Sequence, residues 1–99
     1  MIAVIGSFRF PSERVEEARP HMREVIAETL KEEGCLAYSY AQDATESGLF
    51  RVLEMWTSRE ALERHFQTPH MIAWADERVA LGFYERNICV HPIGVGVEL

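Results

Sequence analysis

The chain has 99 residues, 47% of them hydrophobic, and a formal net charge of −6 from 16 acidic and 10 basic side chains. That length suits one domain with one core over residues 1–99, and a chain so short buries only roughly 60–65% of its unfolded surface, so association with another chain is expected. The acidic balance repels phosphate backbones and anionic lipid heads, which disfavours nucleic acid and membranes as partners, and neither the single lysine, Lys31, nor any arginine cluster marks a basic pocket.

Residues 2–10 read as a first strand, with Ile2, Val4, Phe8 and Phe10 on one side and Ala3, Ile5, Ser7 and Arg9 on the other. The opening MIAVIGSFRF has neither the positive stretch nor the cleavage site of a signal peptide, and no apolar run approaches a membrane span, so the expectation is a soluble, cytoplasmic protein. Pro11 and Ser12 stop the strand, and Ser12 is placed to cap a helix. Val15, Ala18, Met22, Val25, Ile26, Thr29 and Leu30 then recur at helical spacing. Pro20 lies inside that run and is expected to kink the helix or restart it. Gly34 suits the left-handed position past the helix end.

Cys35 to Ala41 alternates again, with Leu36, Tyr38 and Tyr40 assigned to one side. The polar QDATESG turn and the run LFRVLEMW, Leu49 to Trp56, complete a hairpin. Thr57-Ser58-Arg59-Glu60 has capping-box spacing and predicts a short helix to about Gln67. Thr68-Pro69 predicts a second cap and a helix to about Leu81, with Gly82 beyond it. RNICVHPIGVGVEL closes the chain as an irregular strand. Strand, helix, strand, strand, helix, strand is the ferredoxin-like α+β order, with one sheet face under the helices and the other bare. Such a face predicts sheet-to-sheet homodimerisation. Cys35 and Cys89 lack CxxC spacing, fit a reducing compartment and fall on the two outer strands.

The candidate chemistry centres on the short helix, where Ala61, Leu62, His65 and Phe66 form one face. A half-buried imidazole is a proton acceptor near neutral pH, and a packed histidine with one satisfied hydrogen bond is the competing reading. Trp56, Trp74 beside His70 and Met71, Tyr38, Tyr40, Phe8 and Phe83 offer aromatic surface to a flat ligand. Glu54 shares a face with Phe50, Val52 and Trp56 and needs a partner, for which Arg9, Arg86 or a second subunit are the candidates. His65 and His70 are five residues apart with Pro69 between, which does not stack metal ligands on one helix face, so no metal is expected. Phosphate loops, nucleophile elbows and dinucleotide fingerprints are absent.

The segments EEGCLAYSYAQD and FRVLEMWTSREALERHFQTPHMIAW, with the closing strand, resemble the antibiotic biosynthesis monooxygenase family, particularly its quinol monooxygenase-like members. The most specific part is Glu54-x-Trp56, then Ala61-Leu62, His65 and Pro69-His70. The resemblance implies a dimeric α/β barrel of two ferredoxin-like subunits. It also implies oxidation of a small aromatic quinol or phenol with dioxygen, using neither metal nor flavin. His65 would be the base or hydrogen-bonding group; Trp56, Tyr38, Tyr40, Phe66, His70 and Trp74 would contact the substrate. The family's heme-degrading branch carries an Asn, a Trp and a His where this chain has Ser7, His65 and Ala75, which disfavours heme. A non-catalytic or isomerase-type ligand-binding barrel is the alternative.

Overall fold

A computed structural model describes residues 1–99. The elements run β1 (Ile2–Arg9), α1 (Val15–Thr29), β2 (Cys35–Gln42), β3 (Leu49–Trp56), α2 (Arg59–His65), α3 (Pro69–Ala80) and β4 (Tyr84–Pro92), with a single 3-10 turn at Ser12–Arg14. The four strands form one antiparallel sheet in the order β2-β3-β1-β4. This is the ferredoxin-like α+β arrangement that the element order implies. Cys35 and Cys89 sit on the two edge strands, as expected, with β3 and β1 between them.

Strand alternation decides which side chains the helices cover. Val4 and Phe8 of β1, and Phe50, Val52, Glu54 and Trp56 of β3, are all buried under them. Phe8, Phe10, Phe50, Val52, Trp74 and Leu81 join Val15, Ala18, Met22 and Val25 of α1 in the larger core cluster. Val4, Tyr38, Trp56, Ala61 and Leu62 form a second cluster under α2. The opposite sheet face carries Ile5 and Leu53 as directly paired neighbours, 49% and 46% exposed. No helix is long and apolar enough to cross a membrane.

Several local expectations shift. Ser12 does not cap α1; its hydroxyl bonds the Ser47 hydroxyl at 2.9 Å. Helix α1 runs unbroken through Pro20, which is exposed, so water can satisfy the carbonyl that loses its donor. The cap of α2 is Ser58, one residue later than the capping-box spacing suggests; its hydroxyl accepts from the Ala61 N–H at 3.1 Å. Thr68 and Pro69 open α3 as expected, with the Thr68 hydroxyl accepting from Met71 N–H. A bulge between Cys35 and Ala37 takes Leu36 off the Tyr38 face and leaves it 52% exposed. Gly34 and Gly82 hold positive φ angles of 88° and 87° after α1 and α3. At Gly6 a side chain would run into the Asn87 carbonyl of β4, so only glycine lets β1 and β4 approach beside their register shift.

Candidate active site

The site begins with a polar residue on an apolar face. Alternation along β3 forces Glu54 to the covered side, where it is 7% exposed. A carboxyl group there must be hydrogen-bonded or lose its charge. Its partner is two residues along the same strand face: the Trp56 indole N–H donates to Glu54 Oε1 at 2.9 Å. Arg9, one expected partner, is instead paired with Glu46 and Glu85. Burial raises the Glu54 pKa to about 7, opposed first by the Trp56 hydrogen bond and then by the positive charge of Arg86.

Helix α2 supplies the second group. Its inner face buries Ala61, Leu62 and His65, whereas Phe66, expected on the same face, is half exposed. His65 is 1% exposed, with its ring centroid 4.8 Å from that of Trp56 and 5.3 Å from that of Tyr38. His65 Nδ1 lies 2.7 Å from Glu32 Oε2, and His70 Nε2 lies 2.7 Å from the same oxygen. A carboxylate oxygen only accepts, so both ring nitrogens donate. Donation from Nδ1 fixes the His65 tautomer and leaves the lone pair on Nε2. That Nε2 is buried and has no protein partner. Burial holds the His65 pKa below its ordinary value, against the opposing pull of Glu32.

The three residues come from three segments: the α1–β2 connection, the end of α2 and the start of α3. Sequence spacing alone argues against His65 and His70 meeting. Pro69 breaks the helix, yet by starting α3 it turns His70 back toward Glu32. One ligand atom from each of Glu32, His65 and His70 lies within 4.8 Å of the others. These are the residues that could hold a divalent cation, since two imidazoles and a carboxylate suit zinc or iron. The two 2.7 Å nitrogen–oxygen distances are those of charge-assisted hydrogen bonds.

Between the sheet and helices α2 and α3 lies a cavity of about 150 Å³. That matches the volume of an engineered apolar cavity known to take benzene, so it suits one aromatic ring. Tyr38, Tyr40, His65, Phe66 and Trp74 line it, all among the residues expected from sequence. Two expected members do not. Trp56 is fully buried and spends its N–H on Glu54, so it supports the wall without forming it. His70 borders a smaller pocket with His21, Glu24 and Glu77 and acts on the cavity only through Glu32. The Tyr38 and Tyr40 hydroxyls are 2.6 Å apart. Burial raises both pKa values, that of Tyr40 to about 12, so both stay protonated at neutral pH. Glu54, Arg59, Arg78 and Arg86 also line the cavity. No cluster in the sequence marks a basic pocket, yet the fold brings Arg78 of α3 and Arg86 of β4 to one space.

Glu54 gives a direct test of this electrostatic frame. Its pKa rises on folding, from an ordinary 4.5 to about 7. Between those values the folded chain keeps a proton that the unfolded chain has lost, so stability falls as pH rises through the window. Glu54→Gln keeps an oxygen to accept from Trp56 and removes the charge. Urea unfolding should find the variant more stable than wild type by on the order of 1–3 kcal/mol at pH 8, and equal to it at pH 4. Equal stability at both pH values would place Glu54 in contact with solvent.

Comparison with known proteins agrees with the fold. The family model for antibiotic biosynthesis monooxygenases matches residues 1–77. The chain is 31% identical over 105 residues to a protein named probable quinol monooxygenase YgiN from Escherichia coli K12, covering 96% of this chain and 100% of that one. It is also 36% identical over 69 residues to the uncharacterized protein sll1783 of Synechocystis, a match spanning 70% of this chain but only 47% of that protein. PA3566 from Pseudomonas aeruginosa superposes with a TM-score of 0.85 at 28% identity, covering 95% of this chain and 94% of that one. A Deinococcus radiodurans structure superposes over 100% of this chain and 98% of its own, with a TM-score of 0.92 at 22% identity, a likeness of fold. With residues 1–77 matched and the ferredoxin-like sheet in place, the chain belongs to the antibiotic biosynthesis monooxygenase family.

Proposed function

We propose that this protein oxidises a small quinol- or phenol-type aromatic with dioxygen, without metal or flavin. The observation that carries the reading is a buried imidazole nitrogen without a partner, His65 Nε2, on a residue lining an aromatic cavity the size of one ring. The name of the Escherichia coli relative supports it. Glu32 keeps the proton on Nδ1, so Nε2 takes the proton of a phenolic hydroxyl. The resulting anion is electron-rich and gives electrons to dioxygen directly. One oxygen atom enters the ring and the other leaves as water, so a quinol and dioxygen yield a hydroxyquinone and water. The hydroxyls of Tyr38 and Tyr40 donate to a substrate oxygen, and the apolar wall excludes bulk water from the anion. Glu54, poised near pH 7, is a second proton-handling group on the same cavity. That pairing of an acid with a base supports the alternative of an isomerase, which would move protons on a ligand and consume no oxygen.

We also propose that two copies associate through the bare sheet face. Ile5 and Leu53 form its exposed apolar centre, flanked in the same row by Ser39 and Cys89. A small chain with such a face gains stability by covering it. Sedimentation at micromolar concentration should give about twice the chain mass, and Leu53→Glu should shift it toward the monomer. A wild-type chain that sediments as a stable monomer would contradict the association.

The catalytic role of His65 is tested by pairing oxygen uptake with melting temperature across a panel of quinols. His65→Ala should lower turnover by roughly 10²–10⁴-fold while the chain remains folded. Wild-type turnover should rise with pH through a midpoint below the ordinary histidine value, because burial depresses that pKa. Glu32→Gln removes a group that raises the pKa, so the midpoint should fall further and the plateau drop roughly 10–100-fold. Prior treatment with EDTA should change none of these rates. Full turnover in a destabilised His65→Ala variant would return His65 to the core. Activity that EDTA abolishes and zinc or iron restores would move Glu32, His65 and His70 to metal binding.

A further inference from the structure

Six of the ten basic side chains are engaged in ion pairs with carboxylates: Arg9, Arg14, Arg19, Lys31, Arg51 and Arg59. Of the four that are not, Arg23 and Arg64 lie on exposed helical surface. The other two, Arg78 in the last turn of α3 and Arg86 on β4, line the ring-sized cavity. Acidic residues outnumber basic ones 16 to 10, so unpaired cations on an apolar cavity are not explained by a shortage of carboxylates. Arg78 is partly buried, and removing a guanidinium from water without a counter-ion is costly. The Phe83 ring, with its centroid 4.8 Å from the Arg78 guanidinium carbon, offsets part of that cost. Glu54 is the single acidic side chain on the lining, and it forms no ion pair with either arginine; its hydrogen bond comes from Trp56.

We propose that Arg78 and Arg86 form an anion subsite, and that the natural ligand is an aromatic ring bearing a carboxylate. This rests on reading the cavity as the substrate site and names the substrate class. A planar carboxylate matches the fork of guanidinium donors, and two forks can hold its two oxygens. Arg86 is exposed and also borders a polar cleft whose two carboxylates, Glu46 and Glu85, are both paired with Arg9, so the carboxylate would sit toward solvent with the ring inside. A phenolate made by His65 would be a transient anion near the base. A permanent carboxylate instead accounts for two cations on elements other than α2.

The experiment is a binding comparison under anaerobic conditions, using isothermal titration calorimetry with 2,5-dihydroxybenzoate and with hydroquinone, which differ only in the carboxylate. The wild type should bind the carboxylate compound roughly 10–100-fold more tightly, the range expected for charge-assisted hydrogen bonds. Arg78→Met, which keeps the packing on Phe83, and Arg86→Gln, at an exposed strand position, should each cut that preference several-fold, and the double variant should abolish it. Equal affinity for the two compounds, binding of neither, or a preference that survives in the double variant would each overturn the subsite. Oxygen uptake is measured separately on the same samples. A carboxylate preference without oxygen uptake keeps the subsite and removes the monooxygenase reading. Uptake with hydroquinone and no carboxylate preference does the reverse.

Discussion

One oxygen atom organises this site. Glu32 Oε2 receives an N–H from His65 and another from His70, both at 2.7 Å. The contact ties together the α1–β2 connection, the end of α2 and the start of α3. It also sets chemistry: an imidazole that gives its Nδ1 proton to a carboxylate has its lone pair on Nε2. Without Glu32 the His65 ring could adopt either tautomer, and the buried Nε2 would have no defined role. His70 is less buried than His65, so it connects the pair toward the surface.

The sheet provides the counterpart. Glu54 is held on the covered face by strand alternation, is stabilised by Trp56, and still keeps its proton far above the usual carboxylate range. The cavity therefore presents a neutral imidazole, a carboxyl group poised near neutrality, protonated tyrosines and two unpaired guanidiniums. Each is tuned by how much water its position excludes. The ferredoxin-like fold fixes these positions but does not name a substrate, since one fold hosts many chemistries. Function here is legible only at the level of these side chains.

Strand alternation and helical periodicity carry most of the fold. Val4 and Phe8, Val52 and Trp56, and Ala61 and Leu62 are buried where the pattern puts them. Thr68-Pro69 and Gly34 mark their helix boundaries because capping is local chemistry that a short window contains. The errors fall where two neighbours compete or where a distant segment decides. Thr57 and Ser58 both carry hydroxyls, and only the folded backbone selects Ser58. The bulge that removes Leu36 from its expected face comes from pairing with β3, not from β2 itself. His65, Tyr38, Tyr40 and Trp74 are legible as cavity-lining residues because they are inward-facing and aromatic. Glu32 and Arg78 are missed because they sit in charged stretches that read as solvated surface, whereas Arg86 is singled out only as a candidate partner for Glu54, on which its charge does act. Trp56 is assigned to the cavity wall because sequence shows its face but not where its N–H goes.

The site depends on the protonation state of one imidazole, which nitrogen-15 NMR of the His65 ring reports. At neutral pH, two-bond correlations should show Nδ1 protonated and Nε2 carrying the lone pair, and Glu32→Gln should disturb that pattern. A spectrum in which Nε2 carries the proton and Nδ1 does not, or in which the ring exchanges freely between tautomers, would mean that Glu32 does not set the His65 tautomer.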